Sequence, residues 1–227
     1  MQAKEGALTY RRLERTAGKL KGRPKGSRAT RSGVSKKSAT ARLLRLAPMS
    51  RCIAFLRAVN VGGRTVKMDA LRAQFEVLGL ANVSTFIASG NVIFETRARD
   101  MAALEQKIEK QLLGAFGFEV HSFVRSADEL AQVAACQPFD AHELEQAASF
   151  VVGFLARPFD TAQQKIVKGL NNELDTFHAQ GRELYWMSRN KQSESKFSNA
   201  AFERALGLRA TFRGMNTVQR IVALHSS

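Results

Sequence analysis

Beyond residue 50 the apolar positions follow two alternating periods, one of strands and one of helices. Cys52–Val59 is a short apolar run carrying Arg57 and ended by a glycine turn, which predicts a buried strand. Met68, Leu71, Phe75 and Leu78 recur at helical spacing, and Gly79 closes that helix. Val83–Ala88 and Val92–Glu95 flank Ser89-Gly90-Asn91, a hairpin signal because Gly and Asn tolerate the positive φ of tight turns. Met101, Leu104, Ile108 and Leu112 predict a second amphipathic helix, and Phe118–Arg125 reads as a strand. Ser126 with Glu129 is a capping box that opens a third helix.

The second half repeats this order. Ser149–Leu155 is an apolar strand, and Thr161 with Gln164 is expected to cap a helix carrying Ile166 and Leu170. Thr176–Ala179 and Glu183–Met187 flank a second turn, Gln180-Gly181-Arg182. Phe197–Leu206 reads as a helix ended by Gly207, Ala210–Arg213 as a strand, and Asn216 with Gln219 as the opening of the last helix. Each half is strand-helix-strand-strand-helix-strand-helix. That order predicts an α+β protein of two ferredoxin-like (split βαβ) units, antiparallel sheets with helices packed on one face. The expected boundaries are 49–137 and 138–227, behind a basic segment of residues 1–48.

Charge changes the picture only at that segment. Of 35 Lys/Arg and 20 Asp/Glu in the chain, residues 1–48 hold 14 and 2, leaving 21 and 18 elsewhere, a net of +3. The body is therefore near neutral, and the net +15 belongs to the N-terminal stretch. That stretch is too poor in apolar residues to offset the entropy of ordering it and is expected to be disordered. Its Lys21-Gly22-Arg23-Pro24-Lys25-Gly26 looks like an AT-hook core, and its basicity suits non-specific nucleic-acid contact. Its Arg-rich, acid-poor composition also mimics an organellar transit peptide, and Met49 offers an alternative start for the chain.

Cys52 and Cys136 are too few and too far apart for a disulfide framework or a zinc site. The absence of a long apolar stretch and of a secretory leader makes the expected location cytoplasmic, with no membrane partner. His121, His142, His178 and His225 pair with no Cys or carboxylate at metal or triad spacing, so no cofactor, metal or catalytic set is expected.

LRAVNVGGRTVKMDALR, TFIASGNVIFE, FEVHSFVRSADEL and SKFSNAAFERALGLRATFRGMNTV together resemble the domain-of-unknown-function 1697 family over residues 50–224. The resemblance implies two ferredoxin-like units in one chain and brings no established activity. The family-motif positions matched are Arg57, Asn60, Gly62, Gly63, Ser89, Gly90, Asn91, Ser195, Lys196, Arg213, Asn216 and Thr217. The chain departs from the pattern at Ala58, where relatives often have Gly, and at Gly214-Met215, where an Asn-Trp pair is usual.

The loop Asn60-Val61-Gly62-Gly63-Arg64 is neither a Walker A motif nor a dinucleotide fingerprint. Glycines after a strand still expose backbone N–H groups beside a helix start, where an anion could dock. The alternative is that Gly62 and Gly63 serve only the turn. Lys196 and Arg213 also stand at element ends, where a cation is disfavoured unless it faces an anion. The expected site is therefore a small-anion or phosphate site at strand-end loops, formed by Arg57, Asn60, Gly62, Gly63, Lys196, Arg213 and Asn216. A nucleic-acid-associated protein, acting through the basic segment or a sheet face, and an enzyme of unrecognised type are the alternatives. The sequence leaves oligomeric state open.

Overall fold

The computed structural model describes residues 48–57, 59, 60, 63, 65–87, 90–190 and 197–224. The expectations for the basic N-terminal stretch, and those for Gly62, Ser89, Ser195 and Lys196, lie outside the described residues.

The first half runs β1 (Ser50–Arg57), α1 (Met68–Val77), β2 (Ala81–Phe86), β3 (Asn91–Thr96), α2 (Met101–Phe116), β4 (His121–Ser126) and α3 (Ala127–Ala135). A short helix, α4 (Ala141–Glu145), links it to the second. There follow β5 (Ser149–Leu155), α5 (Thr161–Gly169), β6 (Asp175–Gln180), β7 (Glu183–Ser188), α6 (Asn199–Leu206), β8 (Ala210–Gly214) and α7 (Met215–Ala223). The halves build two four-stranded sheets, ordered β2-β3-β1-β4 and β6-β7-β5-β8, with every strand pair antiparallel. This order is compatible with the split βαβ arrangement expected from the sequence.

Three apolar layers hold the described residues together. Cys52, Ala54 and Leu56 of β1 face Leu71 and Phe75 of α1 and Leu104, Ile108 and Leu112 of α2. Val151 and Leu155 of β5 face Val167 of α5 and Phe202 and Leu206 of α6. The alternate residues, Ile53 and Phe55 of β1 and Val152 and Phe154 of β5, meet in a middle layer. Leu130 and Val133 of α3 and Met215, Val218 and Ile221 of α7 complete that layer. Each central strand is thus buried on both faces, which is why β1 and β5 read as continuous apolar runs rather than alternating ones.

Three helix starts differ from expectation, the first being α6, which begins at Asn199 behind a Ser198 cap rather than at Phe197. The α5 cap is Asp160, not Thr161: its carboxylate accepts from Gln163 N at 2.8 Å, and Gln163 Oε1 accepts from Asp160 N at 3.1 Å. Gln163 also donates to Leu206 O at 2.8 Å, which ties α5 to α6 and sets the register one residue earlier. Asn216 does not cap α7; the cap is Gly214, and Met215 begins the helix because its side chain is drawn into the middle layer. Asn216 lies exposed in the first turn. The Ser126–Glu129 capping box forms as expected, at 2.8 and 3.1 Å.

Candidate anion site between the two halves

The middle layer carries polar residues as well as apolar ones, and they are arranged twice over. On β4 the residues facing it are His121, Phe123 and Arg125; on β8 and the residue before it they are Arg209, Thr211 and Arg213. Ile53 of β1 pairs with Arg125, and Val152 of β5 pairs with Arg213, so the two arginines hold equivalent places.

Their contacts are equivalent too. Arg125 Nε donates to Glu183 Oε1 at 2.7 Å, at the start of β7; Arg213 Nε donates to Asn91 Oδ1 at 2.6 Å, at the start of β3. Arg125 Nη2 donates to Leu155 O and Arg182 O at 2.8 and 3.1 Å. Arg213 Nη2 donates to Leu56 O and Gly90 O at 2.8 and 3.4 Å. Each arginine therefore reaches from its own sheet to the opposite half and binds the carbonyls at a hairpin and at the end of a central strand. The turn glycines Gly90 and Gly181 both have positive φ, of 74° and 59°. A side chain at Gly90 would approach Leu56 Cβ to 3.2 Å, so the turn must stay bare for its carbonyl to meet Arg213. Burial pushes the Arg213 guanidinium down to about 10, which still leaves it charged at neutral pH.

Arg57 differs. It ends β1 opposite His121 of β4, on the same face of the sheet. Both of its terminal nitrogens meet the Glu203 carboxylate of α6, Nη1 with Oε1 and Nη2 with Oε2 at 3.1 Å. His121 in turn receives Arg209, whose Nη1 lies 2.8 Å from Nε2. The same Nη1 lies 3.4 Å from Nδ1, so the guanidinium stands over the ring rather than on the lone pair of one nitrogen. Nδ1 lies 3.7 Å from Glu109 Oε1, the same oxygen that accepts from Ser122 N at 2.9 Å. Glu105, one turn earlier on α2, accepts from Val124 N at 2.6 Å. These two glutamates close the outer edge of β4 and fix Glu109 beside the imidazole. Burial lowers the His121 pKa, and Arg209 lowers it further. Burial also lowers the Arg57 pKa, with Arg209 adding like-charge repulsion.

His121 and Arg209 line a cavity of about 340 Å³ with Gln106, Glu109, Lys110, Leu113 and Glu119. A larger groove of about 660 Å³ between α1 and α2 brings only Lys107 and Lys110 as charged groups. The smaller cavity has the converging polar groups that small-molecule sites need. Among the described residues no group of three or more His, Cys, Asp and Glu could hold a metal. No helix among them is long and apolar enough to cross a membrane.

Of the residues expected at the site, Arg57 lies in this cluster. Asn60 accepts from Val66 N at 2.8 Å, bracing the loop ahead of α1, and Gly63 has φ 80° with open space around it. Arg213 is enclosed by the carbonyls described above, and Asn216 is exposed on α7. Four members of the cluster, His121, Arg209, Glu203 and Glu109, were not singled out by sequence. Arg209 follows the Gly207 turn and Glu203 sits on an ordinary amphipathic helix, so no local pattern marks them. Arg125 had a readable signal, because it and Arg213 each precede the cap of a third helix in their half.

The family of proteins of unknown function DUF1697 matches residues 49–185. The chain belongs to this family. The match ends within β7. Among solved structures the chain is similar to SP0830, a conserved bacterial protein from Streptococcus pneumoniae, with 23% identity and a TM-score of 0.63. The likeness covers 79% of this chain and all of that one, and at this identity it concerns the fold alone. No curated protein matches.

Proposed function

We propose that this family member is a binding module for a small anionic ligand, held where the two halves meet by Arg57, Arg209 and His121. The observation that supports the reading most is the proximity of two guanidiniums. Burial lowers the Arg57 pKa and repulsion from Arg209 lowers it further, while Arg209 itself lies against the His121 ring. Like charges brought together in a partly desolvated place carry a cost that an incoming anion relieves. Asn60 and Gly63 belong to the loop that follows Arg57 and shape its approach. A cavity of about 340 Å³ accommodates a ligand of metabolite size.

The test is calorimetric titration of the full chain with inorganic phosphate and with acetate. Binding is expected to weaken at least tenfold, roughly the loss of one charge-assisted hydrogen bond, in Arg209→Ala and in Arg57→Ala. Binding that survives both substitutions would put the anion elsewhere and overturn the reading.

A further inference from the structure

Arg57 already grips an anion, and that anion belongs to the protein. The paired contact of its two terminal nitrogens with both oxygens of Glu203 is the arrangement a guanidinium makes with a free carboxylate or phosphate. Both partners are only partly covered, with side chains 25% and 26% exposed. Neither is among the buried residues of the three layers, so they can separate without disturbing the packing. Glu203 projects from α6, one turn before its Gly207 end, and carries enough rotatable bonds to swing aside.

We propose that Glu203 is an internal competitor: its carboxylate occupies the anion position on Arg57 and is displaced when a ligand arrives. This rests on the anion-binding reading above and adds how the site is kept closed. The charges support it. Glu203 on Arg57, with Glu109 and Glu119 beside His121, Arg209 and Lys110, means that carboxylates of the protein already answer the cations of the unliganded cluster. Glu109 is anchored by Ser122 N and cannot leave without exposing the β4 edge. Glu203 has no such anchor among the bonds described, which makes it the carboxylate that yields. Because a partly exposed ion pair is weak, it deters loosely binding anions yet gives way to a ligand that also fills the adjoining cavity.

The experiment compares inorganic phosphate binding by the full-length parent, Glu203→Gln, Glu203→Asp and the double variant Arg57→Ala/Glu203→Gln. Removing the competing charge should tighten phosphate binding by about tenfold, and the shorter Asp should give a smaller gain in the same direction. The double variant should lose the gain. If the parent binds phosphate and neither Glu203 variant binds it more tightly, the competitor is overturned while the anion site stands. A gain that persists in the double variant also overturns it, since the effect would not pass through Arg57. If neither the parent nor the Glu203 variants bind phosphate or acetate, the anion-binding reading falls and takes the competitor with it. Thermal midpoints without ligand report whether each variant folds; the Asp variant retains a carboxylate on α6 and keeps the comparison available if Gln does not.

Discussion

Phe55 and Phe154 stack face to face across the two sheets, with ring centroids 4.0 Å apart and planes 6° from parallel. They hold the same position in β1 and β5, so the two halves meet through equivalent residues. Arg213 lies over the Phe55 ring at 5.8 Å and Arg125 over the Phe154 ring at 5.5 Å. Each arginine thus caps the aromatic ring of the opposite half while binding that half's carbonyls, adding cation–π attraction to the hydrogen bonds.

The arginines at the interface should divide by role when each is truncated. Arg125→Ala takes the guanidinium away from the Glu183 carboxylate and the Leu155 carbonyl, leaving Glu183 only its bond from Arg182 N, and is expected to cost about 3–5 kcal/mol. Arg213→Ala should cost about 2 kcal/mol or more, through the lost charged hydrogen bonds to Asn91 and to the Leu56 carbonyl, which keeps only a long contact with the Thr211 hydroxyl. Arg57→Ala, at a partly exposed ion pair, should cost no more than about 1 kcal/mol. Urea denaturation of the three variants checks the order; an Arg57 loss as large as that of Arg125 would mean that Arg57 is structural.

Gly153 has a tighter neighbour than any turn glycine among the described residues. A Cβ there would come within 2.6 Å of Phe212 Cε1 on the adjoining strand. Phe212 cannot retreat freely, because Trp186, Phe197 and Phe202 pack edge-on around it. Gly153→Ala is expected to destabilise by about 1–3 kcal/mol, and Phe212→Leu in the same chain should restore part of that loss. Thermal unfolding of the single and double variants gives the comparison.

His121 should leave a mark on the pH dependence of stability. Its folded pKa is lowered from 6.5, so below that value the unfolded chain takes up a proton that the folded chain refuses. The contribution is complete above pH 6.5 and is lost as pH falls from there toward the depressed folded value. Stability measured at several pH values across this window should fall less steeply in His121→Gln than in the parent. Parallel curves would mean that His121 titrates normally.

Ser122 Oγ is buried and has no hydrogen-bond partner among the described residues. Ser122→Ala removes a desolvated hydroxyl without opening a large cavity. It should leave stability unchanged or raise it by up to about 1 kcal/mol, measured by urea denaturation. A clear loss would show that the hydroxyl finds a partner in solution.

Much of the architecture is legible in the chain because it depends on local rules. The periods of two and 3.6, the turn glycines at 90 and 181 and the Ser126–Glu129 box each act over a few residues. The two misplaced caps show where such rules end: Gln163 is recruited by Leu206, and Met215 by the middle layer, both far away in sequence. The same limit explains the site. Arg57 with Glu203 and His121 with Arg209 are pairs separated by 146 and 88 residues, and no window of sequence contains both members. The continuous apolar character of β1 and β5 did carry information about their second buried face, the face on which the cluster lies.

The bond from Arg213 to the Leu56 carbonyl spans 157 residues, and it sets an order of events during synthesis. When β1 leaves the ribosome, the acceptor at its end has to wait until nearly the whole chain has emerged. Arg125 appears earlier, but the Leu155 carbonyl it binds lies 30 residues further on. The first half can therefore collapse during translation without being finished. The two crossed arginines should close late and together, in one slow step typical of distant contacts, so that a chain stalled before Arg213 is left with an open seam.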